Sequence, residues 1–154
     1  MICLTGIPGS GKTTVAAILR SRGIRVMNVS DLPGFTECNE EDGVDIDCLR
    51  SKITSYVTDN DVLEGHYSHL LPCEAVIILE RAEKNVEQSL RGRGYSSEKI
   101  SDNIDALRSD IIFSESLEYL PSPRIFRVSI EENFPEIAAE QCIRIIMQVK
   151  TKVK

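Results

Sequence analysis

Short apolar runs alternate with amphipathic stretches along the whole chain, the pattern of parallel strands joined by crossover helices. Five runs rich in Val, Ile and Leu read as strands, at 2–4, 25–29, 62–64, 75–79 and 125–128. Between them, Val15, Ile18 and Leu19 mark a helix over 12–22, and Ile46, Leu49, Ile53 and Val57 mark another over 45–57. Further helices are expected at about 84–91, 97–120 and 134–150, the last burying Ile137, Ala138, Ile145 and Ile146. The reading is α/β: a five-stranded parallel sheet flanked by helices. At 154 residues, one domain over 1–154 is expected, with no internal repeat and no linker.

Two stretches interrupt this framework. Residues 31–45 hold two glycines, one proline and many acids, and residues 92–98 read Gly-Arg-Gly-Tyr-Ser-Ser-Glu. Loops carry function more often than cores do, so both are candidates.

The strongest motif is Gly6-Ile7-Pro8-Gly9-Ser10-Gly11-Lys12-Thr13, which fits GxxxxGK[ST] and sits between an apolar strand and an amphipathic helix, as the motif requires. A di- or triphosphate is held by a row of backbone N–H groups at a helix N-terminus, and Gly6, Gly9 and Gly11 let that backbone curl close to it. Pro8 and Ser10 complete the loop. Lys12 would place a point charge between the outer phosphates, the Thr13 hydroxyl would ligate Mg²⁺, and Thr14 would reach a more interior phosphate. The chain is read as a P-loop nucleotide-binding protein.

Asp31-Leu32-Pro33-Gly34 is a literal DxxG, but it follows the second strand, the wrong place for a GTPase, and no NKxD element is present to read guanine. A kinase instead needs cations that close over the transferring phosphoryl. Arg91 and Arg93 flank Gly92, with Gly94 next, which has the form of a short lid; Arg81 and Arg108 are weaker candidates. In Asp61-Val62-Leu63-Glu64-Gly65-His66, an apolar strand ends in a carboxylate, so Glu64 would hold Mg²⁺ and His66 would orient water or donate a hydrogen bond. Tyr67 and His69 read as packing or substrate-wall residues.

These residues resemble the adenylate kinase isoenzyme 6 family, adenylate-kinase-like ATPases of small ribosomal subunit maturation. The resemblance rests on residues 5–14, on Val29-Ser30-Asp31-Leu32, on Glu64-Gly65-His66-Tyr67-Ser68-His69-Leu70-Leu71-Pro72 and, most specifically, on residues 90–100 with Asp102-Asn103-Ile104. The Glu-Gly-His-x-Ser-His form looks like the archaeal branch. The resemblance implies a nucleoside-monophosphate-kinase fold, a monophosphate-binding segment near 28–51, and a lid near 92–102 whose Arg93 contacts ATP. It also implies Glu64 and His66 as the acidic and histidine parts of a second motif. Leu107-Arg108-Ser109 departs from the family, which has an acidic residue after the position of Ala106.

The implied activity is adenylate kinase (ATP and AMP to two ADP) with accompanying ATPase turnover and Mg²⁺ as cofactor. The implied partners are a small-subunit ribosomal protein and the pre-ribosomal particle. Composition bears on both. No Lys or Arg lies between Arg25 and Arg50, while Asp31, Glu37, Glu40, Glu41, Asp42, Asp45 and Asp47 do. A monophosphate dianion would be repelled unless Arg50, Arg81 or Arg91 folds over it. The alternative is a nucleotide-gated factor whose slow ATPase resets a complex with a basic ribosomal protein, docked on the acidic insertion. A GTPase or another small-molecule kinase ranks lower.

With 18 Lys and Arg against 24 Asp and Glu, the net charge of -6 argues against a general nucleic-acid groove. No apolar run approaches the roughly 18 residues of a membrane span, and the first residues lack a signal-peptide pattern, so a cytoplasmic location is expected. The five cysteines, odd in number and without a CxxC pair, are expected to be reduced thiols.

Overall fold

The computed structural model describes residues 1–41 and 43–152. Seven strands and six α-helices follow in chain order: β1 (Ile2–Thr5), α1 (Lys12–Ser21), β2 (Val26–Asn28), β3 (Asn39–Glu40), β4 (Gly43–Val44), α2 (Ile46–Ile53), β5 (Val62–Glu64), β6 (Ala75–Arg81), α3 (Glu83–Gly92), α4 (Ser97–Ser109), α5 (Ile111–Leu117), β7 (Ile125–Ile130) and α6 (Pro135–Lys152). The main sheet has the order β2-β5-β1-β6-β7, with every pairing parallel. All five predicted strands are present, one with the expected bounds and four lengthened or trimmed by one to two residues at their ends. The small antiparallel pair β3 and β4 lies in the acidic insertion.

β1 is the middle strand and all four of its residues are buried. A parallel strand covered on both faces needs apolar side chains throughout, which is why these strands read as continuous Val, Ile and Leu runs. Strand side chains alternate between faces, and the core divides accordingly. Ile2 and Leu4 join α1 and α6 through Val15, Leu19, Ala138, Cys142 and Ile146. Cys3 joins the opposite layer, where Leu49, Val86, Leu90, Ile100, Ile104 and Ile112 come from α2 to α5.

The helix expected over 97–120 is two helices. Asp110 breaks it in the left-handed region, at φ 56°, a conformation Asp tolerates better than most residues. Its carboxylate accepts from Arg127 Nη1 at 2.9 Å, and the same guanidinium reaches Glu80 at 2.7 Å and lies over the Phe113 ring at 4.1 Å. The break is therefore held from β7, a long-range cause that local helical periodicity does not carry. α6 is placed as expected, but Ile137 is 48% exposed, because the buried stripe runs through Ala138, Ala139, Cys142, Ile146 and Val149.

The expectation of reduced cysteines is overturned: Cys3 is bonded to Cys73, and Cys38 to Cys48, with Cα atoms 5.9 and 5.6 Å apart. Cys142 alone is free and buried. Both pairings are products of topology. β1 and β6 are neighbours, so Cys3 lies beside the segment leading into β6, and the β3–β4 turn brings the start of α2 back to Cys38.

Leu63 is fully buried in β5, between β1 and β2. Leu63→Ala should cost about 2–5 kcal/mol, the range for truncating a core leucine. Urea denaturation should show a lower midpoint at unchanged slope.

Candidate active site

The carboxyl ends of β1, β5 and β2 meet on one edge of the sheet, and register decides what stands there. Leu4 pairs with Glu64, and Asn28 pairs with Glu64 from the other side. In open α/β sheets this edge is where ligands bind.

From Thr5 the chain curls through Gly6–Gly11 into α1. Gly11 caps the helix at φ 95°, a left-handed conformation, and a Cβ there would come within 2.7 Å of Ile130. No side chain caps α1 and no acid lies in its first turn, so its N-terminal N–H groups are left for an anion. Lys12 Nζ donates to the carbonyls of Gly6 at 2.7 Å and Ile7 at 2.9 Å. Burial lowers the Lys12 pKa to about 8; Glu64 opposes the shift, and Arg93 adds to it. Lys12 and Glu64 stand in the wall of the same cleft. Ser10 Oγ is buried without a hydrogen-bond partner among the described residues. Pro8 and Gly9 shape the bend, and Thr13 and Thr14 are exposed on the first turn of α1.

Glu64 is 4% exposed. One carboxylate oxygen accepts from Asn28 Nδ2 at 2.5 Å, and the Asn28 side-chain oxygen accepts from Ser30 N at 2.8 Å. Asn28 thus orients the acid. Gly65 lets the chain pass close to Val29, whose side chain a Cβ would meet at 2.9 Å and displace. His66 follows, its Nδ1–H donating to the Gly6 carbonyl at 3.3 Å, which leaves Nε2 as an acceptor. Burial holds His66 below the ordinary histidine pKa, with Lys12 and His69 adding to the shift. The hard oxygens of the Thr13 hydroxyl and the Glu64 carboxylate suit Mg²⁺, which takes few protein ligands and completes its shell with phosphate and water.

Two clefts flank the loop. One, of about 240 Å³, is lined by Lys12, Asn28, Val29, Ser30, Phe35, Glu64, Gly65, His66 and Tyr67. The other, of about 110 Å³, lies at Gly11, Thr14, Arg81, Ile130, Glu132 and Pro135. Tyr67 stands at the first cleft with its ring 4.7 Å from that of His66.

Of the candidate arginines, Arg50, Arg81, Arg91 and Arg108 are each paired with a carboxylate. Arg81 donates to Gly9 O at 2.9 Å and Ser89 Oγ at 2.7 Å and pairs with Glu132 at 2.6 Å. Arg91 pairs with Glu87 at the surface, and Arg108 with Glu83. Arg50 donates to Leu70 O at 2.7 Å, pairs with Asp47 and lies over the Tyr119 ring. Arg93 is exposed in the turn between α3 and α4, next to Gly94 at φ 79°. Of residues 92–102, only that turn is irregular; α4 starts at Ser97, capped by Ser96. Asp31 is exposed beyond β2.

His69, read as a packing or wall residue, is buried in a polar network with Thr5 and Glu115. Nothing local in the sequence marks Asn28 or Glu115, and Thr5 enters it only as the first residue of the glycine-rich stretch. Asn28 was legible as the end of a strand beside Glu64 only once strand order was known.

A glycine-rich loop running from a buried central strand into an uncapped helix N-terminus, with an acidic strand end beside it, defines a P-loop nucleotide-binding protein. Residues 2–110 match the AAA domain family. A protein of Thermoplasma acidophilum named "Putative adenylate kinase" is 44% identical over 148 residues, covering 95% of this chain and 97% of the relative. One of the same name in Pyrococcus abyssi is 36% identical over 160 residues, covering 99% and 88%. The chain belongs to the adenylate-kinase-like family of these archaeal proteins. The crystal structure of TT1252 from Thermus thermophilus aligns over 96% of this chain and 95% of its own, with a TM-score of 0.56 and 16% identity, an agreement in fold.

A Lys12 ammonium that deprotonates near pH 8 makes nucleotide binding pH-dependent. The free protein loses this charge as pH rises through about 8, whereas bound phosphates hold the proton. ATP affinity should therefore be flat below pH 7 and weaken by about tenfold per unit above the lysine's pKa. Calorimetric titration from pH 6.5 to 9.5 checks this, and an affinity constant across that range would contradict the assignment.

Proposed function

We propose that this protein is a nucleotide kinase that transfers the γ-phosphoryl group of Mg²⁺-ATP to AMP, with ATP hydrolysis as an accompanying reaction. The carrying observation is the pair of clefts on either side of the phosphate loop, with Lys12 in the wall of one and Gly11 and Thr14 in the wall of the other. A donor beside Thr14 and an acceptor between Asn28 and Tyr67 would present reacting groups across Lys12. The names of the archaeal relatives support this reading.

In this scheme Lys12 and the loop N–H groups neutralise the outer phosphates, and Thr13 and Glu64 hold Mg²⁺, which spreads charge as the phosphoryl moves. Arg93 closes from the lid turn, with Arg91 in support. Acceptor phosphate meets a poor clamp, because Lys12 is the one cation among the residues lining that cleft and Arg50 and Arg81 are held elsewhere. Water then competes with AMP. His66, neutral at pH 7 and with Nε2 available, orients that water.

A role in small ribosomal subunit maturation extends the same reading: nucleotide turnover would gate a basic ribosomal protein on the acidic insertion. Its specific support is the exposure of Glu40 and Glu41 around the β3–β4 turn. Asp42, which belongs to that acidic run, lies outside the described residues.

The test is an assay with ATP and Mg²⁺, with and without AMP, separating ADP formed by transfer from phosphate released to water. An AMP dianion needs positioning but no base. His66→Ala should cut hydrolysis about 10²-fold, as for loss of a general acid or base, and reduce transfer less. Equal loss of both would point to a structural role. Arg93→Ala should lower kcat more than it weakens ATP binding, since lid charge acts on the transition state. A variant with normal kcat and only a poorer Kd would remove Arg93 from the reaction.

A further inference from the structure

Behind the site runs a chain of polar contacts that the scheme above leaves unused. Glu115 of α5 lies 2.7 Å from His69 Nε2, His69 Nδ1 lies 3.1 Å from Thr5 Oγ1, and Thr5 Oγ1 lies 3.2 Å from the carbonyl oxygen of His66. Thr5 and His69 are 0% and 3% exposed. Buried polar groups are costly unless each is satisfied, so the count of protons along this chain matters.

Thr5 has one hydroxyl proton and two acceptors within reach. If His69 is neutral with its proton on Nε2, facing Glu115, then Nδ1 is an acceptor and takes the Thr5 proton. The His66 carbonyl then loses its donor. If the Glu115–His69 pair holds one more proton, Nδ1–H donates to Thr5 Oγ1, and the Thr5 hydroxyl donates to the His66 carbonyl. All three contacts are then made together.

We propose that Glu115, His69 and Thr5 are positioning residues for His66, a polar relay from half-buried Glu115 of α5 to the active-site turn that is complete only when the Glu115–His69 pair carries its extra proton. The relay anchors the backbone of the residue whose ring rests on the phosphate loop through Gly6, and so acts on the step His66 serves. This rests on the phosphoryl-transfer reading given above. The titratable and charged groups around His69 are Glu115 from α5, His66 from the preceding turn, and Arg50 of α2, which donates to the adjacent Leu70 carbonyl; β1 contributes only the Thr5 hydroxyl. Burial lowers the His69 pKa while Glu115 and the nearby His66 main-chain carbonyl oppose this, so the relay completes on the acid side of the ordinary histidine range.

The test compares the pH profile of kcat for ATP hydrolysis in the wild type, Thr5→Val, Thr5→Ser and Glu115→Gln. Thr5→Val keeps shape and removes the hydroxyl, and Glu115→Gln keeps a hydrogen-bond acceptor and removes the charge that favours the extra proton. The ratio of wild-type to variant kcat should grow about fivefold as pH falls from neutrality through the acid side of the histidine range, roughly the worth of one hydrogen bond. KM for ATP should stay unchanged, and Thr5→Ser should follow the wild type. Taking ratios cancels the titration of His66 itself. A ratio constant with pH, or an effect on melting temperature alone, overturns the proposal.

NMR of the protein without nucleotide separates this from the functional reading. The His69 ring ¹⁵N shifts and the His66 carbonyl ¹³C shift should titrate together in the wild type and independently in Thr5→Val. Coupled titration without ATP turnover would sink the functional reading and leave the relay standing; independent titration in the wild type would sink the relay.

Discussion

The parallel pairing of β1 on both edges is the constraint on which the rest depends. With β5 on one side and β6 on the other, its backbone hydrogen bonds are used in both directions, and its four residues are buried. The chain can only leave over the carboxyl end. That exit is the phosphate loop, and the same register sets Glu64 opposite Leu4 and Asn28 opposite Glu64. The acid, the amide that orients it, the loop and the histidine turn all follow from one strand's placement. Strand spacing brings them within a few ångströms although up to about 60 residues of chain separate them.

Charge in the site is arranged by sequestration as much as by placement. Arg50, Arg81, Arg108 and Arg127 each face a carboxylate, and two of the four also donate to main-chain carbonyls. A cation already satisfied must give up those partners to meet a phosphate. Lys12 is different: its partners are carbonyls of the loop itself, and burial destabilises its charge. An incoming phosphate therefore relieves a desolvated lysine, whereas it would compete for a paired arginine. This asymmetry places the electrostatic strength on the loop side of the cleft and leaves the side of the acidic insertion weak.

What could be read from the chain tracks the range of the interactions involved. The five strands, the loop motif and the acidic strand end were legible because each is written in consecutive residues. The outcome was poorer where a cause lies far along the chain. Asp110 bends the expected long helix because Arg127 of β7 holds it. Cys3 and Cys73 meet because β1 and β6 are neighbours, across 70 residues of sequence. Asn28 gained meaning only through the β2–β5 register, and His69 only through α5. Side chains at such positions carry no local signature, since a histidine in the core and one in a relay look alike in one dimension.

β1 shows why the last of these was hidden. Its alternation sends Ile2 and Leu4 toward α1 and α6, and Cys3 toward the layer of α2 to α5. Thr5 has the parity of Cys3, so its hydroxyl points into that second layer, where Ser68 also donates to Leu4 O and His69 waits beside Glu115. With both faces of the strand buried, the period-2 signal that separates core from surface is absent, and a single threonine at the strand's end reads as an ordinary β-former. Its polarity is nevertheless informative. A fully buried hydroxyl at the carboxyl end of a central parallel strand needs partners, and the partners must come from whatever element covers that face. Here that element follows the turn through Gly65 and His66, so satisfying one buried hydroxyl ties the packing of α5 to the position of His66.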